Sequence, residues 1–416
     1  MNLLYNSGIR LYRLGARLVS SRNRKAALML DGQARSFGHL EAHLEPQRRY
    51  VWMHVASLGE FEQGRPLLEK IRREHPGLGI VLTFFSPSGY EVRKNYDGAD
   101  IVCYLPFDTP ANARRWVETL RPVAAIFVKY EFWGNYLTAL KCAGVPTYLI
   151  SAIFRPGQSF FRWWGGMFRR MLGCYDRLFV QDEASQRLLE SIGVTNVEVA
   201  GDTRFDRVTD IMRSTRNIAG MDAYADGRKC IVFGSSWEAD EQLYIPWLRS
   251  HTDVCSIIAP HEFDSERLDT LVKGLTVTPG DTVLLSDLEK APDSKPDLNG
   301  VRCVIVDSFG KLSSLYRYGN VAYIGGGFGH GIHNINEAAV YGMPVVFGPR
   351  HAKFKEATDL INCGGGFEVT DSDSLKTRFD TLTGDDSALS RAGKAAGDYI
   401  ASSIGATDRI YPSLRL

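Results

Sequence analysis

The chain has 416 residues, of which 44% are hydrophobic and 23% are charged, and its formal net charge is +1. This length accommodates two domains of ordinary size, and the near-neutral charge argues against nucleic acid as a partner. The seven cysteines are scattered and form no C-x-x-C pair, which predicts reduced thiols and no zinc site.

The N-terminal stretch, residues 1–35, is strongly basic and contains a single acidic residue, Asp31. Arg10, Arg13 and Arg17 fall on one face of a helix, and leucines lie between them. This pattern predicts an amphipathic helix on an anionic membrane surface, with a helix packed on the protein body as the alternative. No apolar run in the chain is long enough to span a bilayer.

From Tyr50 onward, short apolar runs alternate with helical patterns, which predicts parallel sheets covered by helices on both faces. The first series of predicted strands comprises residues 51–56, 79–84, 101–105, 123–128, 147–150, 178–180 and 197–199. The second series comprises residues 230–234, 254–259, 276–285, 301–306, 321–324, 345–347 and 366–369. We therefore predict an α/β protein with two doubly wound domains, residues 36–205 and 228–400, facing a cleft. Residues 206–227 are the predicted linker, and the tail 401–416 is expected to pack back on the first domain.

The first candidate functional residues follow the strand 51–56, in Ser57-Leu58-Gly59-Glu60. Gly59 permits a sharp turn into a helix, and Glu60 then lies at the helix start. A carboxylate at this end of a strand can act as a general base, although the helix dipole also favours an acid in a first turn. Glu131 follows the strand 123–128 in the same manner, either as a second functional carboxylate or as a cap.

Two arginines follow later strands of the same half. Arg155 precedes an aromatic segment, residues 160–164, which suits an anionic headgroup or a phosphate-bearing sugar, or else the buried face of a helix. Arg204 lies in the run from Gly201 to Asp206 and is placed to reach an acceptor phosphate or a donor carboxylate.

In the second half, the glycine-rich run Gly325-Gly326-Gly327 follows a predicted strand and precedes a helical pattern from His333. Glycines let a backbone approach a ligand, and a helix start attracts phosphate. His333 and Glu337 are four residues apart and would share a helix face, so we predict a nucleotide cradle with Glu337 on the ribose. The run matches neither a P-loop nor G-x-G-x-x-G, and a tight turn without a ligand is the alternative.

Taken together, several motifs resemble those of the 3-deoxy-D-manno-octulosonic acid (Kdo) transferases of Gram-negative lipopolysaccharide assembly. They are ASLGE at 56–60, YEFW at 130–133, GDTRFD at 201–206, SSWEADE at 235–241, DSFGKL at 307–312 and HNINEAA at 333–339. The resemblance implies a GT-B fold and inverting transfer of Kdo from CMP-Kdo to a lipid A precursor, with Glu60 as the base. It also implies no metal or other cofactor, and a peripheral position on the cytoplasmic face of the inner membrane.

The residues expected to bind the donor, CMP-Kdo, lie in turns of the second half. They are Ser235, Ser236, Pro260, His261, Phe309, Gly310, Leu312, Gly325, Gly326, Gly327, His333, Asn334 and Glu337. The residues expected to contact the acceptor or a phosphate are Ser57, Gly59, Arg155 and Arg204. When each of these turns is considered alone, the alternative to ligand binding is an ordinary capped turn.

Two departures from the family pattern bear on these assignments. The usual Pro-Arg-His is Pro260-His261-Glu262 here, so an arginine expected on the donor phosphate or carboxylate is missing. The usual Lys-Phe-Asp is Arg204-Phe205-Asp206, which keeps the charge and changes its geometry. The rival hypotheses are another GT-B enzyme, such as a nucleotide-sugar 2-epimerase or a lipid-linked sugar transferase, and a non-catalytic nucleotide-binding protein of the membrane surface.

Overall fold

The computed structural model describes residues 3–290, 298 and 300–416. The chain forms two compact units, one of Met1–Arg207 with Ile404–Leu416 and the other of Val208–Ser403. The stretch 206–227, where we expected a linker, contains the helix Met221–Ala225 and most of the helix Arg204–Arg213. The C-terminal segment from Ile404 belongs to the first unit.

The first unit is built on a parallel sheet of seven strands in the order β3-β2-β1-β4-β5-β6-β7. The strands are β1 Tyr50–Val55, β2 Gly79–Phe84, β3 Ile101–Tyr104, β4 Ala124–Val128, β5 Thr147–Ala152, β6 Arg177–Val180 and β7 Val197–Val199. Every residue of β1, β2, β4 and β5 is buried, because helices cover both faces of the sheet. Adjacent residues of β1 therefore enter different cores: Trp52 packs with Trp116 and Phe127, and Met53 packs with Phe61.

The helices of the first unit lie around this sheet, and the last of them, α9, continues into the second unit. They are α1 Leu3–Ser20, α2 Arg24–His43, α3 Leu58–Glu74, α4 Pro87–Arg93, α5 Pro110–Leu120, α6 Gly134–Cys142, α7 Gly166–Leu172, α8 Glu183–Glu190 and the connecting α9 Arg204–Arg213. A short 3-10 helix spans Ser159–Phe161.

The second unit repeats the architecture with a parallel sheet in the order β10-β11-β9-β8-β12-β13-β14. Its strands are β8 Cys230–Ser236, β9 Cys255–Pro260, β10 Thr282–Leu284, β11 Cys303–Ile305, β12 Val321–Ile324, β13 Val345–Phe347 and β14 Gly366–Glu368. The predicted doubly wound α/β class is confirmed. The strand predicted at 276–285 is shortened to β10, because residues 277 and 278 donate their N–H groups to the Asp281 carboxylate in a turn.

Helices again lie between the strands of the second unit. They are α10 Met221–Ala225, α11 Glu238–Ser250, α12 Ser265–Leu275, α13 Leu285–Glu289, α14 Leu312–Leu315, α15 Asn336–Ala339, α16 Lys355–Cys363, α17 Ser372–Gly384 and α18 Asp386–Ser403, followed by α19 Ala406–Ile410 in the C-terminal segment. Further 3-10 turns span Tyr316–Tyr318 and Tyr411–Ser413.

Each sheet has one point at which the chain reverses its direction of winding. In the first sheet this point lies between β1 and β4, and in the second it lies between β8 and β12. Ligands of open parallel sheets bind outside the carboxyl ends of the strands at such a switch point. Glu60 follows β1 and Glu131 follows β4, while Ser235 and Ser236 are the last residues of β8 and Gly325 follows β12. The topology therefore brings the predicted residues to the expected edge of each sheet.

The predicted N-terminal helix is present as α1, and its two sides differ. Tyr5 and Tyr12 contact the body of the first unit. The opposite side carries Leu4, Leu11 and Leu18, which are 81%, 68% and 72% exposed. Within residues 3–290, 298 and 300–416, no helix is long and apolar enough to cross a membrane.

Candidate active site

Glu60 lies in the first turn of α3 and folds back on the turn that precedes it. Its Oε2 accepts the backbone N–H groups of Ala56 at 2.7 Å and Ser57 at 3.1 Å. The carboxylate thus stabilises the helix start as a cap, and Oε1 is left to accept a further proton or hydrogen bond. Burial raises the pKa of Glu60 to about 7, and the negative charge of Glu131 adds to this rise. The charge of Lys129 and the two N–H donors oppose it.

Gly59 is not explained by the sharp turn that we expected. It lies within α3, its φ is outside the left-handed region, and a Cβ atom would meet only Ser57 Oγ, at 4.0 Å. The turn from β1 into α3 is made instead by the extended backbone of Ser57 and by the two bonds to Glu60.

Glu131 is 5% exposed, and its carboxylate is held by side chains. Its Oε2 lies 2.9 Å from Nε2 of His54, although the N–H direction is not aligned for a linear hydrogen bond. The indole N–H of Trp133 donates to the same oxygen, and the hydroxyl of Tyr175 donates to the backbone carbonyl at 2.5 Å. The carboxylate makes none of the bonds of a helix cap, so the capping alternative is wrong for this residue.

A set of charged groups surrounds Tyr130, the partly exposed neighbour of Glu131. Burial raises the pKa of the Tyr130 phenol, and Arg155, Arg204, Glu60 and Asp202 also act on it. The structure therefore brings both predicted arginines and Glu60 to one edge of the sheet. Arg204 is held by Asp202, which accepts its Nε at 2.9 Å and its Nη2 at 2.8 Å.

Three non-glycine residues at or near the carboxyl ends of strands, two in the first unit's half of the chain and one in the second, have a left-handed backbone. Lys129 follows β4 with φ 68°, Ser151 lies in β5 with φ 51°, and Ser235 lies in β8 with φ 54°. Such conformations are costly for residues with a Cβ and occur most often at functional sites. In the first unit Ser151 is locked by a 2.7 Å hydrogen bond between its hydroxyl and that of Thr203.

In the second unit, Asp240 fastens the glycine-rich loop to α11. The fully buried Asp240 carboxylate accepts the backbone N–H groups of Gly326 at 2.8 Å and Trp237 at 2.9 Å, and the hydroxyl of Tyr323 at 2.9 Å. Ser236 is buried too, and its hydroxyl donates to Glu241 at 3.1 Å. Of the two predicted serines, Ser235 is thus the less buried.

The glycines of the loop are required by close approaches within the protein. A Cβ at Gly325 would lie 2.4 Å from the backbone oxygen of Ser235, and one at Gly327 would lie 2.5 Å from Cα of Gly348. Gly326 has φ 91°, in the left-handed region. These contacts account for all three glycines, so the glycine pattern by itself is not evidence of a ligand.

The helix that we predicted from His333 begins only at Asn336 and is a single turn, α15. The expected shared face of His333 and Glu337 is therefore wrong, and a single turn lacks the dipole assumed for phosphate. Glu337 accepts the amide of Asn334 at 3.0 Å and the hydroxyl of Ser313 at 2.7 Å. Ser313 belongs to α14, which starts at Leu312 directly after Phe309 and Gly310, so this predicted loop lies beside Glu337.

Three histidines gather around Trp237, near the place where the arginine is missing. The rings of His261 and His330 each lie 4.3 Å from the Trp237 ring, and the indole N–H is 3.4 Å from Nε2 of His333. Burial lowers the pKa of His333, with His261 as the next cause. Pro260 ends β9 and is buried.

Sequence reasoning assigned no individual role to several residues of these two edges, although four of them lie in the quoted motifs. They are His54, Lys129, Tyr130 and Asp202 in the first unit, and Trp237, Asp240 and His330 in the second. For His54 a signal existed, since it is the only polar side chain capable of titration near neutral pH in the apolar strand Tyr50–Val55. The ring stack around Trp237 had no such signal, because its members come from three separate turns.

Comparison with known proteins shows that the chain is similar to one family of transferases. Residues 31–207 match the family model of 3-deoxy-D-manno-octulosonic-acid transferase (kdotransferase). The 3-deoxy-D-manno-octulosonic acid transferase of Bordetella pertussis is 27% identical over 386 residues, covering 88% of this chain and 86% of that protein. The enzyme of the same name from Aquifex aeolicus is 26% identical, covering 80% and 85%.

Solved structures with a similar fold include MurG of Acinetobacter baumannii, with a TM-score of 0.55 and 13% identity, covering 88% of this chain and 99% of that one. UDP-GlcNAc 2-epimerase from Neisseria meningitidis has a TM-score of 0.55 and 15% identity, covering 85% and 99%. At such low identity these two likenesses concern the fold alone.

Proposed function

We propose that this chain is a glycosyltransferase of the Kdo transferase family, with the GT-B fold, that transfers Kdo from CMP-Kdo to a lipid A precursor. The observation that carries the proposal is the carboxylate of Glu60. It is half-buried in the turn that follows β1, has a pKa of about 7, and keeps one oxygen outside the cap. A base is most effective when its pKa lies near the working pH.

In the proposed reaction, Oε1 of Glu60 accepts the proton of an acceptor hydroxyl as that oxygen attacks the anomeric carbon of Kdo. The bond between this carbon and the CMP phosphate breaks, and CMP leaves with the electron pair. Attack from the face opposite the leaving group inverts the configuration. At the end of the step the proton is on Glu60 and the new glycosidic bond is on the lipid.

We assign the donor to the second unit and the acceptor to the edge around Tyr130. Arg155 and Arg204 provide positive charge for an acceptor phosphate. For the donor, the left-handed turn at Ser235, the loop from Phe309 to Leu312 and the Asn334–Glu337 pair supply N–H and hydroxyl groups. The proposal requires no bound metal, because such donors and basic side chains offset the charge of a single phosphate.

The acceptor is a membrane lipid, and α1 supports a place for this protein at the membrane surface. Its exposed leucines lie beside Arg10, Arg13 and Arg17, the arrangement of an interfacial helix next to anionic lipid. Trp163, in the expected aromatic segment, is also exposed, whereas Phe160 is buried. We place this surface on the cytoplasmic face of the inner membrane, where the family resemblance puts it.

The test is transfer of Kdo from CMP-Kdo to a purified lipid A precursor, with the lipid product identified by mass, in buffer containing a metal chelator. We expect a mass gain of one or more Kdo units, a loss of at least a hundredfold in rate for Glu60→Gln with CMP binding retained, and no effect of the chelator. Glu74→Gln is the matched control, because Glu74 lies at the far end of α3 and pairs only with Arg73 at the surface.

Three results would contradict the proposal. CMP binding without a modified lipid would leave a nucleotide-binding protein of the membrane surface. Sugar-nucleotide isomerisation without an acceptor would indicate an epimerase. Transfer that survives in Glu60→Gln would place the base elsewhere.

A further inference from the structure

A chain of contacts runs from the core of the first unit to the carboxylate of Glu131. The indole N–H of Trp52 donates to Oγ1 of Thr83 at 2.8 Å, and that oxygen lies 2.8 Å from Nδ1 of His54. Nε2 of His54 lies 2.9 Å from Oε2 of Glu131. Trp52, Thr83 and His54 are all fully buried, so water does not compete for these contacts.

The distances assign the hydrogens along this chain. Thr83 has one hydroxyl proton, and its possible acceptors are Nδ1 of His54 at 2.8 Å and the carbonyl of Met53 at 3.4 Å. The shorter contact makes Nδ1 the acceptor, so the proton of a neutral His54 is on Nε2, the nitrogen that faces Glu131. With the indole of Trp133, two N–H groups then lie against one carboxylate oxygen.

Trp133 and His54 thus contact the same oxygen of a buried carboxylate, and these contacts fix its position. The two carboxyl groups at this edge thereby differ. The Glu131 carboxylate accepts the indole N–H of Trp133 and lies against Nε2 of His54, whereas Glu60 keeps an oxygen free for a substrate.

Resting on the proposed function, we propose that His54 is a positioning residue for the transfer reaction. Held by Thr83, and together with Trp133, it holds the carboxylate of Glu131 in the position from which its charge acts on Glu60. Glu131 is neither the base nor a cap in this account. The other charged groups that face Glu60 or its neighbour Tyr130 are Lys129, Arg155, Arg204 and Asp202, and each is left unchanged in the variants below.

The experiment follows the protonation of Glu60 in the full-length protein by carbon NMR of labelled glutamate carboxyl groups. The signal of Glu60 is the one that disappears in Glu60→Gln. In the wild type we expect a titration midpoint near pH 7. In Glu131→Gln and in His54→Phe, we expect the midpoint to fall by on the order of one pH unit, because the neighbouring negative charge is lost in the first and displaced in the second. His54→Gln, which restores an N–H donor at this place, should return the midpoint toward that of the wild type.

Tyr175→Phe is the matched structural control. It removes the hydrogen bond to the backbone carbonyl of Glu131, and so disturbs the same loop without touching the carboxylate. We expect a lower melting temperature and an unchanged midpoint for Glu60. A midpoint that stays in place in folded His54→Phe, or that moves equally in Tyr175→Phe, would overturn the inference.

The NMR measurement requires no substrate, so it separates this inference from the proposed function. Where transfer is measurable, the acidic limb of the pH profile of kcat/KM should move to lower pH in Glu131→Gln and His54→Phe by the same amount. Shifted NMR midpoints without any Kdo transfer would support the role of His54 and contradict the proposed reaction. An acidic limb that stays in place while the rate falls would contradict the role of His54 alone.

Discussion

The carboxylate of Asp206 accepts the backbone N–H of Thr407 at 2.7 Å, across 201 positions of the chain. Its other oxygen accepts the N–H of Gly405 at 2.5 Å. Asp206, near the start of α9, therefore caps α19 and fastens the C-terminal segment to the first unit. The aspartate of the Arg204-Phe205-Asp206 run thus has a structural role in this chain.

We expect Asp206→Ala to lower the free energy of unfolding by about 1 kcal/mol, because two N–H groups at the start of α19 lose their acceptor. Hydrogen exchange of residues 404–416 should accelerate more than that of the sheet. Asp408→Asn, a change within the same helix α19, is the control. Asp408 makes an exposed ion pair with Lys70 of α3, and such pairs contribute little to stability. Equal effects of the two variants would refute the capping role.

The attachment of α1 depends on Tyr5. Its hydroxyl donates to Asp108 at 2.5 Å and accepts the N–H of Gly134 at 3.1 Å, the residue that opens α6. Tyr5→Phe should cost about 1 kcal/mol and raise hydrogen exchange in residues 3–20, since the buried Asp108 loses one of its donors. Tyr12→Phe is the control because Tyr12 contacts Phe85 and Phe107 through its ring, which the change preserves. Unchanged exchange in Tyr5→Phe would show that α1 is held by other contacts.

Glu60 should make stability depend on pH. Because the pKa of Glu60 is raised from 4.5 to about 7, the folded state binds this proton more tightly than the unfolded state. The associated stability is fully present below about pH 4.5 and is lost as the pH rises through about 7. Glu60→Gln should therefore gain stability relative to the wild type between pH 4.5 and pH 8, as measured by urea unfolding at both values. A difference that is constant with pH would contradict the raised pKa.

The exposed residues of α1 predict that binding of this protein to vesicles depends on the charge of the lipid. Replacing Leu4, Leu11 and Leu18 by serine should weaken binding to every vesicle, because apolar burial is lost. Replacing Arg10, Arg13 and Arg17 by glutamine should cost about 1 kcal/mol per residue on anionic vesicles and almost nothing on zwitterionic ones. Vesicle co-sedimentation measures both effects. Binding that is insensitive to both sets of changes would exclude α1 as the membrane contact.

Much of the fold follows from local patterns. Short apolar runs, separated by helical periodicity, predicted most of the strands to within a few residues. The strands Gly79–Phe84, Val197–Val199, Val321–Ile324 and Val345–Phe347 match the prediction at both ends. Such runs are readable because a strand buried on both faces has few polar positions. The helix expected from His333 failed, since its apolar residues pack as a loop and only one turn forms.

The positions of Glu60 and Glu131 at strand ends were readable from the sequence, because strand length and turn residues are local properties. The difference between the surroundings of these two carboxylates was not readable from the sequence, since it depends on groups that are distant in the chain. Thr83 and Trp52, from β2 and β1, orient His54 against a residue that follows β4. The sequence by itself determined the resemblance to Kdo transferases, the two parallel sheets and the carboxylates at the strand ends. Only the tertiary structure decided which carboxylate is enclosed by donors and which keeps an open oxygen, because burial and charge act through space.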